Sequence, residues 1–87
     1  YEKIENMETL KKYVAKATVA ISKYSGDFKV RGGKSITLEG NQYPRTVIVE
    51  FPSFADAEKC YNSSEYQEAL NILRDSVKRN LQIIEGI

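Results

Sequence analysis

Hydrophobic and polar positions along this chain follow two periods, and the changes of period mark the elements. Leu10, Tyr13, Val14, Ala17, Ile21 and Tyr24 recur at steps of three and four, one face of a helix of roughly five turns. Asn6 stands where an N-cap belongs, and Glu8 lies near the positive end of the helix dipole. Lys11, Lys12, Lys16 and Lys23 fall mostly off the apolar face. Ser25-Gly26 ends the helix, with Gly26 free to adopt a left-handed cap.

A period of two replaces it. Tyr1 to Glu5 reads as a short strand, cut short at Tyr1. Phe28 and Val30 alternate with Lys29 and Arg31, and Gly32-Gly33 interrupts them as a bulge or tight turn does. Ile36 and Leu38 suggest that the strand resumes over residues 35–39, before the turn composition of residues 40–44. Arg45 to Phe51 is the strongest strand, apolar on both faces as in the centre of a sheet.

Helical spacing then returns at Phe54, Ala57 and Tyr61, after Ser53 and Asp56 in a capping arrangement. Asn62-Ser63-Ser64 breaks that helix, Ser64 with Gln67 forms a second capping box, and Tyr66, Ala69, Leu70 and Leu73 continue the stripe. Leu81 to Glu85 reads as a last strand. The order β-α-β-β-α-β predicts a single α+β domain over residues 1–87. It is ferredoxin-like, with a four-stranded antiparallel sheet carrying two helices on one face.

Such a sheet has an open face. Strict alternation turns Phe28, Val30, Val47, Val49 and Phe51 toward the helices and Lys29, Arg31, Thr46, Ile48 and Glu50 outward, unless a bulge reverses the register. Ile48 and Ile84 are too apolar for a solvated face. A second copy of the sheet is the simplest cover, giving a homodimer closed as an α+β barrel. Charges between two sheets must pair or line a wet cavity, which is how a pocket would arise.

Composition narrows the function. Thirteen Lys and Arg against twelve Asp and Glu leave a net charge of +1, without the basic excess of a nucleic-acid surface. With no histidine there is no Ser-His-Asp or Cys-His relay, and one cysteine permits no internal disulfide and no ordinary zinc site. A lone thiol suits a reducing, cytoplasmic setting. No apolar run approaches a membrane span, and no secretory signal opens the chain. No cofactor is implied.

The candidate chemistry is sparse. Arg31-Gly32-Gly33-Lys34 lacks the following helix and the spacing of a phosphate loop, so a turn is the plainer reading. Arg31 and Glu50 are either an ion pair or ligand-binding groups. Arg31 would hold an anion, Glu50 would accept a hydrogen bond or act as a base, and Arg45 is a further ligand-binding candidate. Six tyrosines are many for 87 residues. Tyr13, Tyr24, Tyr61 and Tyr66 fall on apolar helical faces, where they fill the core or aim a phenol into a cavity as donor or weak acid; Tyr61 and Tyr66 are the candidate donors. Cys60 beside the Tyr61 stripe reads as a buried, inert thiol.

One combination of segments is familiar: Phe28-Lys29-Val30-Arg31-Gly32-Gly33, Leu38-Glu39-Gly40, Arg45 followed by Val47 to Phe54, Tyr61 to Gln67, and Ile84-Glu85-Gly86. In that order it resembles the small bacterial family called domain of unknown function 1330, over essentially the whole chain. The resemblance implies a ferredoxin-like protomer that pairs into a dimeric α+β barrel. The chain departs from the family at Tyr24-Ser25-Gly26-Asp27, where a His-Gly-Gly-Arg run is common, and at Cys60 and Ser64, where Trp and Pro are usual. The wider barrel superfamily includes cofactor-free monooxygenases and ligand sensors, a fold-level analogy only. The expectation is a cytoplasmic homodimer that binds a small metabolite, with cofactor-free turnover of it as the enzymatic form of that reading. The alternative is an association module without catalytic activity.

Overall fold

The computed structural model describes residues 1–87. Strand β1 (Lys3–Ile4) leads into helix α1 (Met7–Lys23), followed by β2 (Asp27–Arg31) and β3 (Val47–Glu50). Helices α2 (Phe54–Asn62) and α3 (Ser64–Leu73), a 3-10 turn (Arg74–Ser76) and β4 (Val77–Lys78) complete the chain. The architecture is α+β.

The caps explain the helix boundaries. Asn6 accepts from the backbone N–H of Thr9 at the start of α1, and Ser53 accepts from that of Asp56 at the start of α2. Ser63, rather than Ser64, separates α2 from α3. Its hydroxyl accepts from Tyr66 N–H at 3.1 Å and donates to Cys60 O at 2.7 Å, so one buried side chain closes one helix and opens the next. At the end of α1 the left-handed residue is Ser25 (φ 63°), not Gly26. Gly26 is needed for a different reason: a Cβ there would collide with Ile21 Cγ2 and stand 2.9 Å from Phe51 Cε1.

The core lies between α1 and α3. Leu10, Tyr13, Ala17, Ala20 and Ile21 of α1 pack with Cys60 of α2 and with Tyr66, Ala69 and Leu73 of α3. Ala20 and Ala69 are completely buried, and their small side chains let the two helices approach closely. Phe28, Val49 and Phe51 cover the core from the β2–β3 side, and Ile4 and Val77 from the β1–β4 side.

Backbone pairing forms two antiparallel two-stranded sheets, β1 with β4 and β2 with β3, instead of one sheet of four. Just before β1 and β3 begin, Tyr1 N–H donates to Arg45 O at 2.9 Å. Two expected strands are absent. Residues 33–44 are exposed and unpaired, with Ile36 and Leu38 more than 80% in solvent, so their alternation has no face to bury. The last strand forms at Val77–Lys78 rather than over residues 81–85, because the chain turns straight back from α3 and sets Val77 opposite Ile4.

The register of β2 is also corrected. Phe28 pairs with Val49, but Val30 pairs with Ile48, and the irregularity at Lys29 absorbs the extra residue. The bulge puts Val30 on the outer face with Ile48 and carries Arg31 to the helix side, where it reaches Thr18 of α1. The alternation of β3 is as expected: Val47, Val49 and Phe51 are half-buried, while Thr46, Ile48 and Glu50 are exposed.

Candidate functional site

The basic residues divide by type. Every ion pair is made by a lysine: Lys3 with Glu5, Lys11 with Glu8, Lys23 with Glu65, Lys29 with Asp27 and Glu50, and Lys78 with Glu2. None of the four arginines pairs with a carboxylate. Arg31 donates to Thr18 Oγ1 and lies 4.0 Å over the Phe28 ring, and Arg74 donates to Asn71 O. Arg45 and Arg79 occupy the two sides of Tyr1.

Arg79 is the centre of the site. It is half-buried directly after β4, and Glu2 N–H donates to Lys78 O at 2.7 Å, which brings Tyr1 across the ladder to it. Nη1 of Arg79 donates to Tyr1 Oη and to Tyr13 Oη, each at 3.2 Å. The guanidinium carbon lies 5.4 Å from the Tyr1 ring centroid and 5.0 Å from that of Tyr13, within cation–π range. Tyr13, in the second turn of α1, shares a 2.5 Å hydrogen bond with Tyr66 Oη in the first turn of α3. The two rings meet edge to face, and Tyr61 stacks at a tilt on the other side of Tyr66.

Tyr1 and Tyr13 hold their protons. Burial pushes Tyr13 well above its ordinary value, and the neighbouring Tyr66 adds to the rise. Burial likewise raises Tyr1, although Arg79 and Arg45 oppose it. Arg79 is therefore a positive guanidinium donating to two neutral phenol oxygens, with no carboxylate paired to it. Beside it opens a cleft of about 440 Å3. Arg74, Lys78 and Arg79 supply its positive groups, Leu70, Leu73, Val77 and Leu81 its apolar surface, and Tyr61 one edge. Such an arrangement binds and orients an anionic group against an apolar wall.

The sequence-derived candidates separate in space. Tyr66 belongs to the phenol chain and Tyr61 lines the cleft. Arg45 flanks Tyr1; its guanidinium lies against Gly32, where a Cβ would come within 2.5 Å of Nη1, and its Nε is buried without a partner. Arg31 and Glu50 do not pair with each other. Glu50 is exposed and opposite Asp27, with Lys29 at 3.9 Å. Cys60 is buried, and burial raises its pKa, so its thiol stays protonated.

Arg79 and Tyr1 carry no signal in the sequence, and Tyr13 is legible only as one of four tyrosines on apolar helical faces, not as a site residue. The missing signal is the register of β4. Once Val77 is set opposite Ile4, Arg79 follows on the same strand face as Val77, toward α1, and its side chain reaches the hydroxyls of Tyr1 and Tyr13. Phenol pairs between distant helices carry no spacing signature.

No curated protein matches the chain. The family domain of unknown function (DUF1330) matches it over residues 1–87, the whole length. By that match the chain belongs to the DUF1330 family.

Proposed function

We propose that this protein binds a small, negatively charged metabolite at Arg79 and works as a homodimer. One observation carries the binding reading: a half-buried guanidinium, oriented by two phenols and balanced by no carboxylate, faces an open cleft. Removing a cation from water without a counterion is costly, and an anionic ligand offsets that cost. Tyr13 and Tyr1 orient the guanidinium, Tyr66 holds Tyr13, and Tyr61 borders the ligand. Arg45 adds positive potential from behind Tyr1. Arg31 and Glu50 lie outside this cluster.

The dimer reading rests on the outer face of β2 and β3, where Val30 and Ile48 are 38% and 52% exposed side by side. The β1–β4 and β2–β3 pairs are those of a ferredoxin-like sheet, with the Tyr1–Arg45 hydrogen bond at their seam. Packed against a second copy, such a sheet forms a closed α+β barrel. A single buried thiol agrees with a reducing, cytoplasmic setting. No helix is long and apolar enough to cross a membrane.

Thermal unfolding against a panel of anionic and neutral metabolites tests the binding reading. A ligand at 100 times its Kd stabilises by about 2.7 kcal/mol, a readily measured rise in Tm. The rise should come from anions only and vanish in Arg79→Gln. If no anion raises Tm, the binding and enzymatic readings both fail, and an association module built on the Val30–Ile48 face is the better account. Light scattering tests the dimer: twice the chain mass is expected, falling to one chain in Ile48→Asp.

A further inference from the structure

The hydrogen-bond geometry at Arg79 selects a kind of anion. A guanidinium carries five N–H groups. The two on Nη1 face the two phenol oxygens, Tyr1 Oη and Tyr13 Oη. The remaining three sit on Nε and Nη2 and form no bond within the protein. They are not sealed off either, because Arg45 Nε is the one buried side-chain nitrogen or oxygen left without a partner. Nε–H and the adjacent Nη2–H point in parallel along one edge of the guanidinium, the fork that a carboxylate accepts with both oxygens. Fixing Nη1 between two phenols leaves that edge as the available one.

The surroundings describe the rest of the ligand. Leu70, Leu73, Val77 and Leu81 give the cleft an apolar wall beside the cation. Its volume of about 440 Å3 suits a compact organic molecule rather than a bare inorganic ion. Leu81 is 47% exposed, and residues 79–87 make no backbone hydrogen bond as donor or acceptor outside regular structure. Leu81 thus presents apolar surface on a stretch that a ligand can press against.

We propose that the ligand is a small carboxylic acid with an apolar body, its carboxylate bidentate on Nε and Nη2 of Arg79 and its carbon skeleton against Leu73, Val77 and Leu81. This rests on the anion-binding reading above and narrows it to one chemical class.

Isothermal titration of the full chain with benzoate, acetate, benzamide and inorganic phosphate tests the assignment, and amide NMR shifts locate any binding. Benzoate should bind at least tenfold tighter than the other three. Arg79→Lys keeps the charge but loses the fork, and should weaken benzoate ~10- to 100-fold, the range of one charged hydrogen bond. Leu81→Ser, an uncharged change at an exposed position outside the core, should bring benzoate toward the acetate level while leaving acetate and Tm unchanged. Phosphate binding best, or Arg79→Lys binding benzoate as wild type does, overturns the carboxylate assignment and leaves the anion reading standing. Acetate matching benzoate overturns the apolar body. Benzamide matching benzoate, or no binding by any probe, overturns the anion reading itself.

Discussion

The phenol chain predicts that two chemically identical substitutions differ in cost. Tyr13 Oη is bonded to both Arg79 Nη1 and Tyr66 Oη, whereas Tyr66 Oη is bonded to Tyr13 alone. Both residues are 5% exposed. In Tyr66→Phe one hydrogen bond is lost and Tyr13 Oη keeps Arg79, a cost of about 1 kcal/mol. In Tyr13→Phe the Tyr66 hydroxyl is stranded in the core, which costs about 1–3 kcal/mol, and Arg79 loses one acceptor while keeping Tyr1 and solvent. The total is about 2–3 kcal/mol. In the double variant both oxygens are gone and nothing is stranded, so the combined cost is smaller than the sum by about 1 kcal/mol. Urea unfolding followed by circular dichroism measures all three. Thermal scans give about 4–8 °C per kcal/mol for a chain of this size. Equal costs for the two single variants, or additive costs in the double, would refute the chain of bonds from Arg79 through Tyr13 to Tyr66.

Other predictions follow from burial and backbone conformation. Tyr13 and Tyr1 have raised pKa values in the folded state, so above the ordinary value of 10.0 the unfolded chain releases protons that the folded chain keeps. The phenols' contribution to stability is therefore level below pH 10 and falls as the pH rises beyond it, by up to about 1.4 kcal/mol per pH unit for each phenol. Denaturation at a series of alkaline pH values should show this slope, reduced in Tyr13→Phe. Gly26→Ala forces a methyl group against Ile21 and Phe51, and its unfolding free energy should drop by about 1–3 kcal/mol. The neighbouring Ser25→Gly relieves a left-handed backbone (φ 63°) and should raise stability by up to about 1 kcal/mol, the opposite sign one residue away.

Periodicity and capping made the helices legible. Asn6 and Ser53 cap where the spacing places them, and the α1 stripe from Leu10 to Ile21 is the buried face. Ala20 escapes such a reading because a small residue announces itself only when another helix approaches it, as Ala69 of α3 does. The strands were less legible because short strands depend on partners. Ile36 and Leu38 alternate as well as Phe28 and Val30, but no edge receives them. Val77–Lys78 has almost no pattern and becomes a strand because β1 lies opposite. The bulge at Lys29 then moves Arg31 away from Glu50, and with it the pair that the alternation suggested. Within the candidate site, Tyr61 and Tyr66 were visible as phenols on helical faces. Arg79 was not, because its importance lies in what does not pair with it, and that is known only when every carboxylate has been placed.

The four arginines provide the most direct test of the central claim, since each contributes one Nε–H signal to a nitrogen-edited NMR spectrum. Benzoate and acetate are titrated into the isotope-labelled protein, with the signals assigned through Arg→Lys variants. The Arg79 Nε–H signal should move downfield and saturate while those of Arg31, Arg45 and Arg74 shift far less. Movement centred on Arg31 or Arg45, or no movement of Arg79 with either anion at millimolar concentration, would contradict it.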